Sequence, residues 1–227
     1  MLTLLTSMAT RSLLADLIPR YQQRTGQAVQ VTAMGGVDAV AAVQGGQTYD
    51  VVLLSDAAIR QLITGGWLDP GSHLPIVNSP VAVAVPEQGP AVDLRSADTL
   101  RTALAKFAHI GLSTGPSGQV LSRQFAAWGL DQPEGRLVIA PPGVAVASLV
   151  AQGKAQIGFQ QLSEMLNTPG IRVLGLLPDD IQTITTFSAA RPVASQHAEA
   201  AQALCHFLVA PEHHTRLREH GLEPASP

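Results

Sequence analysis

Five residues stand where a predicted strand runs into a predicted helix, at Ser7, Gly36, Ser117, Val144 and Gln161. The first backbone N–H groups of a helix have no partner within the helix, and they lie at the positive end of its dipole. Such a turn can hold an anion. Because the sequence repeats this turn several times, it predicts an anion-binding site made from helix starts.

Ser7 has two possible roles in the first of these turns. It follows an apolar run of strand length, Leu2 to Thr6, and it precedes the first predicted helix. A serine in this position commonly caps the helix, with its hydroxyl accepting a hydrogen bond from a backbone N–H group. A cap alone is the simpler interpretation of Ser7, and the recurrence of the turn along the chain is what favours a ligand contact.

Asp38 and Glu164 lie beside two of the turns and are the candidate catalytic groups for acid–base chemistry. A carboxylate that is removed from water can take a proton from a carbon atom next to a ligand carboxylate. The alternative for Asp38 is an acidic residue in a first helical turn, where it complements the helix dipole. That simpler role is the commoner one.

Other familiar chemistries lack the residue spacing that they need. The five histidines from His197 to His220 form no HExxH pattern and the chain has no CxxC, so we expect no metal site and no cofactor. Gly115–Gly118 lacks the GK[ST] continuation of a phosphate-binding loop, and no GxSxG pattern marks a serine nucleophile. Cys205 is the only cysteine, which excludes an intramolecular disulfide, and its apolar neighbours at helical spacing predict a buried thiol.

The charge balance disfavours two classes of partner. Fourteen Lys and Arg stand against seventeen Asp and Glu in 227 residues, a net charge of −3, and no basic run occurs. We therefore expect no binding to nucleic acid and no membrane insertion. The first residues lack the basic and apolar segments of a leader peptide. The sequence thus predicts a periplasmic protein if a leader was removed, and otherwise a cytoplasmic one.

Successive strand–turn–helix units predict an α/β fold. Strands are expected at Leu2–Thr6, Ala28–Ala33 and Asp50–Leu54, and each is followed by a predicted helix. The first and third of these helices have a face of apolar residues, and the second consists mostly of small residues. The apolar run of the third strand is uninterrupted, which indicates burial on both faces. Three such units in a row indicate a parallel, doubly wound sheet.

A second α/β series follows a break in this pattern. Turn signals occur at Asp69–Gly71 and Asn78–Pro80, and a strand is expected at Val81–Val85. The later predicted strands are His109–Leu112, Leu137–Ala140, Gln156–Phe159 and, with antiparallel alternation, Gln182–Ser188. A polar turn is expected at Gln160–Ser163, and two helices end the chain.

We predict two lobes joined by two extended crossings. Residues 1–80 with 189–227 form lobe one, and residues 86–182 form lobe two. The hinge strands are then 81–85 and 183–188. Two crossings permit hinge closure over a ligand, and the turns of both lobes would face one cleft.

Three segments resemble the type II periplasmic binding proteins, and within them the molybdate-binding proteins of ABC importers. They are Tyr49–Ser55, Gly153–Glu164 and the tail from Phe207 to Pro224. The resemblance covers nearly the whole chain. It implies a two-lobed fold, each lobe a mostly parallel sheet flanked by helices, in which neutral hydroxyls and backbone N–H groups hold an oxyanion between the lobes.

The resemblance also implies ligand-binding positions, and the sequence departs from the molybdate pattern in three places. The implied positions are Ser7, Gly35, Gly36, Ser117, Gly118, Val144 and Gln161. Gly35–Gly36 replaces a typical serine, and Gln161 stands where some members have a tyrosine. Arg11 is the third departure, because such sites are typically uncharged, whereas the fork of an arginine suits a carboxylate. The alternative for Arg11 is a solvated surface residue.

The sequence therefore predicts a monomeric solute-binding protein that binds a small anion, either a molybdate-like oxyanion or a small carboxylate. An ABC permease would be its partner if it is exported. A relative of this fold isomerises aconitate, so the alternative is a leaderless cytoplasmic isomerase that moves a proton on an unsaturated di- or tricarboxylate. The identity of the ligand stays open.

Overall fold

The computed structural model describes residues 1–225, which form two compact units. Unit 1 contains residues 1–79 and the chain from residue 185 onward, and unit 2 contains residues 80–184. Both units combine strands with helices, which confirms the predicted α/β class. The predicted hinge strands and the predicted cleft between lobes stay predictions.

The helices and strands follow one another in an order that alternates between the two types over most of the chain. In chain order they are β1 (Leu2–Ser7), α1 (Met8–Thr25), β2 (Val29–Met34), α2 (Gly36–Gln44), β3 (Val51–Ser55), α3 (Asp56–Thr64), β4 (Leu74–Pro86), α4 (Ala97–Leu104), β5 (Ile110–Leu112), α5 (Pro116–Ala127), β6 (Leu137–Ile139), α6 (Val146–Ala151), β7 (Ile157–Gln161), α7 (Leu162–Met165), β8 (Ile171–Leu176), β9 (Ile184–Ala190), α8 (Ala198–Leu208), α9 (His214–Glu219) and β10 (Glu223–Pro224). Short 3-10 turns at Pro70–Ser72 and Pro211–His213 precede β4 and α9.

Three parallel strands form the centre of unit 1, with β1 between β2 and β3. Ser7 pairs with Met34 on one side, and Thr6 pairs with Leu53 on the other. β9 adds an antiparallel strand beyond β3. Because the three strands are parallel and in register, their carboxyl ends lie side by side at one edge of the sheet.

Helices cover both faces of this sheet. Alternate residues of a strand point to opposite faces, and in β3 Val51 and Leu53 contact one core while Val52 and Leu54 contact another. The first core holds the apolar residues of α1 and α8, and the second holds those of α2 and α3. The sheet is therefore doubly wound, and β3 is buried on both faces as its apolar run predicts.

Unit 2 repeats this arrangement with β5 between β6 and β7, all parallel. β4 then pairs antiparallel with β7 and with β8. Phe125 of α5 packs against Phe159 of β7 on one face, with ring centroids 5.0 Å apart. On the other face α6 lies so close that a Cβ on Gly158 would come within 2.7 Å of Val146 Cγ1. Glycine at this position is therefore a packing requirement.

The turn expected at Asn78–Pro80 is wrong, because β4 runs without a break from Leu74 to Pro86. Asn78 pairs with Glu223 of β10, and its side-chain oxygen accepts a hydrogen bond from Thr186 Oγ1 at 2.8 Å. Proline adopts extended backbone readily and lacks only the N–H donor. Pro80 is therefore compatible with a strand where the sequence pattern indicated a turn.

The polar turn expected at Gln160–Ser163 is also wrong. Gln160 and Gln161 are the last residues of β7, and Leu162 and Ser163 begin α7. Both glutamines are buried, at 3% and 5% exposure. Their amide groups are polar but find partners inside the unit, which composition alone does not reveal.

Candidate functional site

The starts of α1 and α2 lie next to each other in unit 1. Ser7 ends β1 opposite Met34 of β2, so the chain enters the two helices from adjacent strands. Their N-terminal positions are occupied by Ser7 and Gly35. In a doubly wound sheet this is the edge at which ligands bind, outside the carboxyl ends of the strands.

The Ser7 hydroxyl is buried and has no hydrogen-bond partner among residues 1–225. Ser7 occupies the N-cap position of α1, but its side chain makes no capping hydrogen bond, so the prediction of a cap is wrong. The neighbouring hydroxyls differ, since Thr6 Oγ1 and Thr10 Oγ1 lie 2.6 Å apart and are hydrogen-bonded. A buried hydroxyl without a partner costs free energy that a ligand oxygen could recover.

The first turn of α1 contains no acidic residue, so no carboxylate neutralises the positive end of this helix from within it. The start of α3 is different. Partial burial raises the pKa of Asp56, but hydrogen bonds from Arg60, Ser188 and His73 outweigh it and lower that pKa to about 2. The start of α3 therefore already has a permanent anion, whereas the start of α1 has none. Ser55 at the N-cap of α3 also makes no capping hydrogen bond.

The turn at Gly35 and Gly36, before α2, can offer a ligand backbone N–H groups but no side-chain donors. A Cβ added to Gly36 would have no atom within 4 Å, so the space beside this residue is open. Asp38 lies in the first turn of α2 and is exposed, and it forms no ion pair within the described part of the chain. A carboxylate in this position complements the helix dipole, which is the simpler of the two predicted roles of Asp38.

Arg11 lies four residues after Ser7 in α1 and is exposed. Its guanidinium has no hydrogen bond or ion pair within residues 1–225. The structure thus leaves the group available to a ligand and equally available to solvent.

Unit 2 brings two of the predicted site residues into contact. Gln161 Nε2 donates to Ser117 Oγ at 3.1 Å, which connects the end of β7 to the first turn of α5. The first turn of α5 also lacks an acidic residue. Gly118 lies against the preceding loop, and a Cβ there would come within 1.9 Å of the Ser113 carbonyl oxygen. Gly118 therefore sets the path of the loop, whatever else it contacts.

Val144 lies in the turn before α6, with 40% of its surface exposed. Its N–H group donates to the Pro141 carbonyl at 3.0 Å. This amide is thus already used in the turn, unlike the first amides of a long helix.

Glu164 lies in the first turn of α7 and is connected to α6 through Gln160. Gln160 Nε2 donates to Glu164 Oε2 at 2.7 Å, and Gln160 Oε1 accepts from the Ala147 N–H at 3.3 Å. Burial of the carboxyl group raises the pKa of Glu164 to about 7, against the smaller opposing effect of the Gln160 hydrogen bond. Glu164 can therefore gain or lose a proton near neutral pH.

Other reactive groups form no second centre. No group of three His, Cys, Asp or Glu in residues 1–225 is arranged to hold a metal ion. Cys205 is buried, which raises the pKa of its thiol to about 12. Within the same residues no helix has the length and apolar character required to cross a lipid bilayer.

A family model described as bacterial extracellular solute-binding protein matches residues 2–223. The chain belongs to this family. The match confirms the resemblance seen in the sequence. Among characterised proteins, a relative named aconitate isomerase, from Pseudomonas sp., is 33% identical over an alignment of 232 residues, which covers 98% of this chain and 87% of the relative.

Two solved structures confirm the fold. The periplasmic molybdate-binding protein of Azotobacter vinelandii superposes with a TM-score of 0.83 at 19% identity, over 100% of both chains. The sulfate-binding protein SubI from Mycobacterium tuberculosis H37Rv gives a TM-score of 0.80 at 18% identity, over 100% of this chain and 87% of the other. At these identities the likeness establishes architecture.

In this solute-binding protein, Gln160 and Ser163 are two buried polar residues near the candidate site that were not predicted as site residues. Gln160 joins α6 to Glu164, and the Ser163 hydroxyl is buried without a partner among the described residues. The alternation of β7 was the available signal, since successive strand residues face opposite sides. It separates Gln160, on the α6 side, from Gln161, on the α5 side.

Proposed function

We propose that this protein binds a small anion at the start of α1, beside the start of α2. The observation that carries the proposal is the Ser7 hydroxyl, which is buried, unpartnered in residues 1–225 and free of any capping role. The first N–H groups of α1 supply further donors to the same place.

The electrostatics of the helix starts support this choice. The positive end of the α1 dipole has no acidic residue in its first turn, while the start of α3 holds the Asp56 carboxylate. An anion at α1 therefore gains from the dipole without repulsion from that helix's own first turn. In unit 2, the first turn of α5, which contains Ser117 and Gly118, also has no acidic residue.

The relatives support an anionic ligand. Structural neighbours are named for molybdate, tungstate and sulfate, which are all oxyanions, and the 33% identical relative is named for a tricarboxylate. We propose that an exported form would deliver its ligand to an ABC permease, as expected for a solute-binding protein.

A ligand screen tests the proposal. Molybdate, tungstate, sulfate, cis-aconitate and trans-aconitate are each titrated against the protein while thermal unfolding is followed. A ligand that binds only the folded state raises stability with the logarithm of its concentration. We expect at least one anion to do so, and Ser7→Ala to reduce the effect. If every anion leaves the unfolding temperature unchanged at millimolar concentration, the proposal is wrong.

The second candidate function is isomerisation of an unsaturated tricarboxylate. The 33% identity to an aconitate isomerase favours it, and so does Glu164, whose pKa of about 7 suits proton transfer at neutral pH. In such a step a base removes a proton from the CH₂ group beside one carboxylate, the double bond moves by one carbon, and a proton returns to the far carbon. No oxidant or metal is consumed.

Proton NMR of cis-aconitate and trans-aconitate in D₂O tests this candidate. Turnover would interconvert the two and introduce deuterium at the CH₂ group. If Glu164 carries the proton, Glu164→Gln should abolish turnover and leave binding within a few-fold of wild type. Wild-type protein that binds aconitate without converting it over many hours is a binding protein only.

A further inference from the structure

Arg11 and Arg123 differ from the other arginines of this protein. Within residues 1–225 these two guanidinium groups have no hydrogen-bond or ion-pair partner, whereas each of the others contacts a carboxylate or a backbone carbonyl. The paired arginines are Arg20, Arg24, Arg60, Arg95, Arg101, Arg136, Arg172, Arg191, Arg216 and Arg218. Most arginines of this protein are thus paired, and of the two that are not, Arg11 is the one that lies beside the candidate site.

Arg11 lies about one helical turn beyond Ser7. Residues four apart lie on the same face of a helix, and the rise between them is about 6 Å. Side chains in a helix lean back toward its N-terminus. The turn that contains the Ser7 hydroxyl, which has no partner in residues 1–225, is therefore within reach of the long Arg11 side chain.

Arg123 provides the contrast. It is also exposed, and it lies seven residues beyond Pro116, the first residue of α5. That separation corresponds to about 10 Å along the helix axis. Arg123 is thus comparable in charge, exposure and lack of a partner, but it lies two turns from the start of its helix.

We propose that Arg11 is a specificity-determining residue that selects a ligand carrying two or more carboxylates, an inference that rests on the proposed anion site. One carboxylate meets the N–H groups at the start of α1 and the Ser7 hydroxyl. A second carboxylate, displaced along the helix, meets the planar fork of Arg11 in a bidentate pair. A compact tetrahedral oxyanion cannot span both positions, so it gains little from Arg11.

Asp38 is an acidic residue near the candidate site that could neutralise Arg11 if the two formed an ion pair. It lies in the first turn of α2, whose start is next to the start of α1, and it is exposed. It forms no ion pair with Arg11 in the structure. The guanidinium is thus not neutralised internally, and its charge is available to the ligand.

Isothermal titration calorimetry on four proteins tests the inference: wild type, Arg11→Ala, Arg11→Lys and Arg123→Ala. The probes are cis-aconitate, trans-aconitate and citrate, with molybdate and sulfate as the oxyanions. We expect Arg11→Ala to weaken binding of the tricarboxylates by about 30- to 1,000-fold, because a charge-assisted contact is lost and ligand charge is left unpaired. Arg11→Lys keeps the charge without the fork and should give an intermediate loss. Arg123→Ala should stay within about twofold of wild type, since a distant exposed charge is screened by salt.

Four results would overturn the proposed role of Arg11. Tricarboxylate binding by Arg11→Ala within threefold of wild type overturns the inference and leaves the anion site standing. An equal loss in Arg123→Ala also overturns it, because the effect would then be one of net charge. Wild-type binding of molybdate or sulfate, with no tricarboxylate bound, does the same. If wild type binds none of the probes, both the anion site and the role of Arg11 are wrong.

Discussion

Gln161 and Ser117 are 44 residues apart in sequence, yet Gln161 Nε2 donates to Ser117 Oγ at 3.1 Å with both side chains almost fully buried. This hydrogen bond joins the carboxyl end of β7 to the first turn of α5. It holds two of the residues predicted to bind ligand in a fixed relation to each other.

The pair should therefore contribute to the stability of unit 2. We expect Ser117→Ala and Gln161→Ala each to lower the free energy of unfolding by about 1 to 2 kcal/mol, since a buried hydrogen bond is lost. The double variant should lose less than the sum, with a coupling energy of about 0.5 to 1.5 kcal/mol. Urea denaturation of the four proteins measures this. Strictly additive losses would show that the two side chains act independently.

Gly36→Ala should separate binding from stability. The added methyl group meets no atom within 4 Å, and alanine favours a helix over glycine by about 0.5 to 1 kcal/mol, so stability should be unchanged or higher. If an anion approaches the backbone here, the same methyl group should weaken its binding. Gly118→Ala is the contrast, because its Cβ would lie 1.9 Å from the Ser113 carbonyl oxygen and should destabilise the fold. Unaltered anion affinity in a stable Gly36→Ala would remove the second turn from the site.

Ser7→Ala should also affect binding more than stability. The Ser7 hydroxyl makes no hydrogen bond in residues 1–225, so its removal should change the free energy of unfolding by less than about 0.5 kcal/mol. Anion affinity should fall by about tenfold if the hydroxyl meets the ligand. Ser55→Ala is the matched control at the start of α3, where Asp56 already lies. Chemical denaturation and anion titration of both variants measure these effects. If Ser7→Ala and Ser55→Ala bind the anion with equal affinity, Ser7 is not part of the site.

Glu164 should make stability depend on pH near neutrality. Burial raises the pKa of its carboxyl group from 4.5 to about 7, so the folded protein holds this proton more tightly than the unfolded chain does. The free energy of unfolding should therefore fall as pH rises from about 4.5 to about 7, by about 1 to 3 kcal/mol from this group. Glu164→Gln carries no titratable proton and should remove that part of the slope. Identical pH profiles for the two proteins would show that Glu164 titrates normally.

The periodic elements of this fold were predictable, and the exceptions have physical reasons. Apolar spacing predicted α1, and the uninterrupted run in β3 predicted burial on both faces. Pro80 misled the prediction of β4, because a proline signals a turn in sequence although extended backbone accommodates it. β8 was missed, since its residues are only partly buried and show no clear alternation.

The sequence predicted which turns form the candidate site, but it did not predict the side-chain contacts within those turns. The strand-to-helix junctions at Ser7 and Gly36 follow from local pattern. That Ser7 would lack a capping hydrogen bond, or that Gln161 would find Ser117, depends on tertiary placement of backbone and side chain. No local sequence signal encodes such long-range pairs.

Unit 1 is assembled from two separate stretches of the chain, and this affects the order of events during synthesis. The core that buries Leu13 of α1 also contains Phe187 of β9, Leu204 of α8 and Leu217 of α9. These partners emerge from the ribosome after all of unit 2, which is one continuous segment. We therefore expect unit 2 to finish folding first during synthesis, and the apolar face of α1 to be buried only after β9, α8 and α9 have been translated.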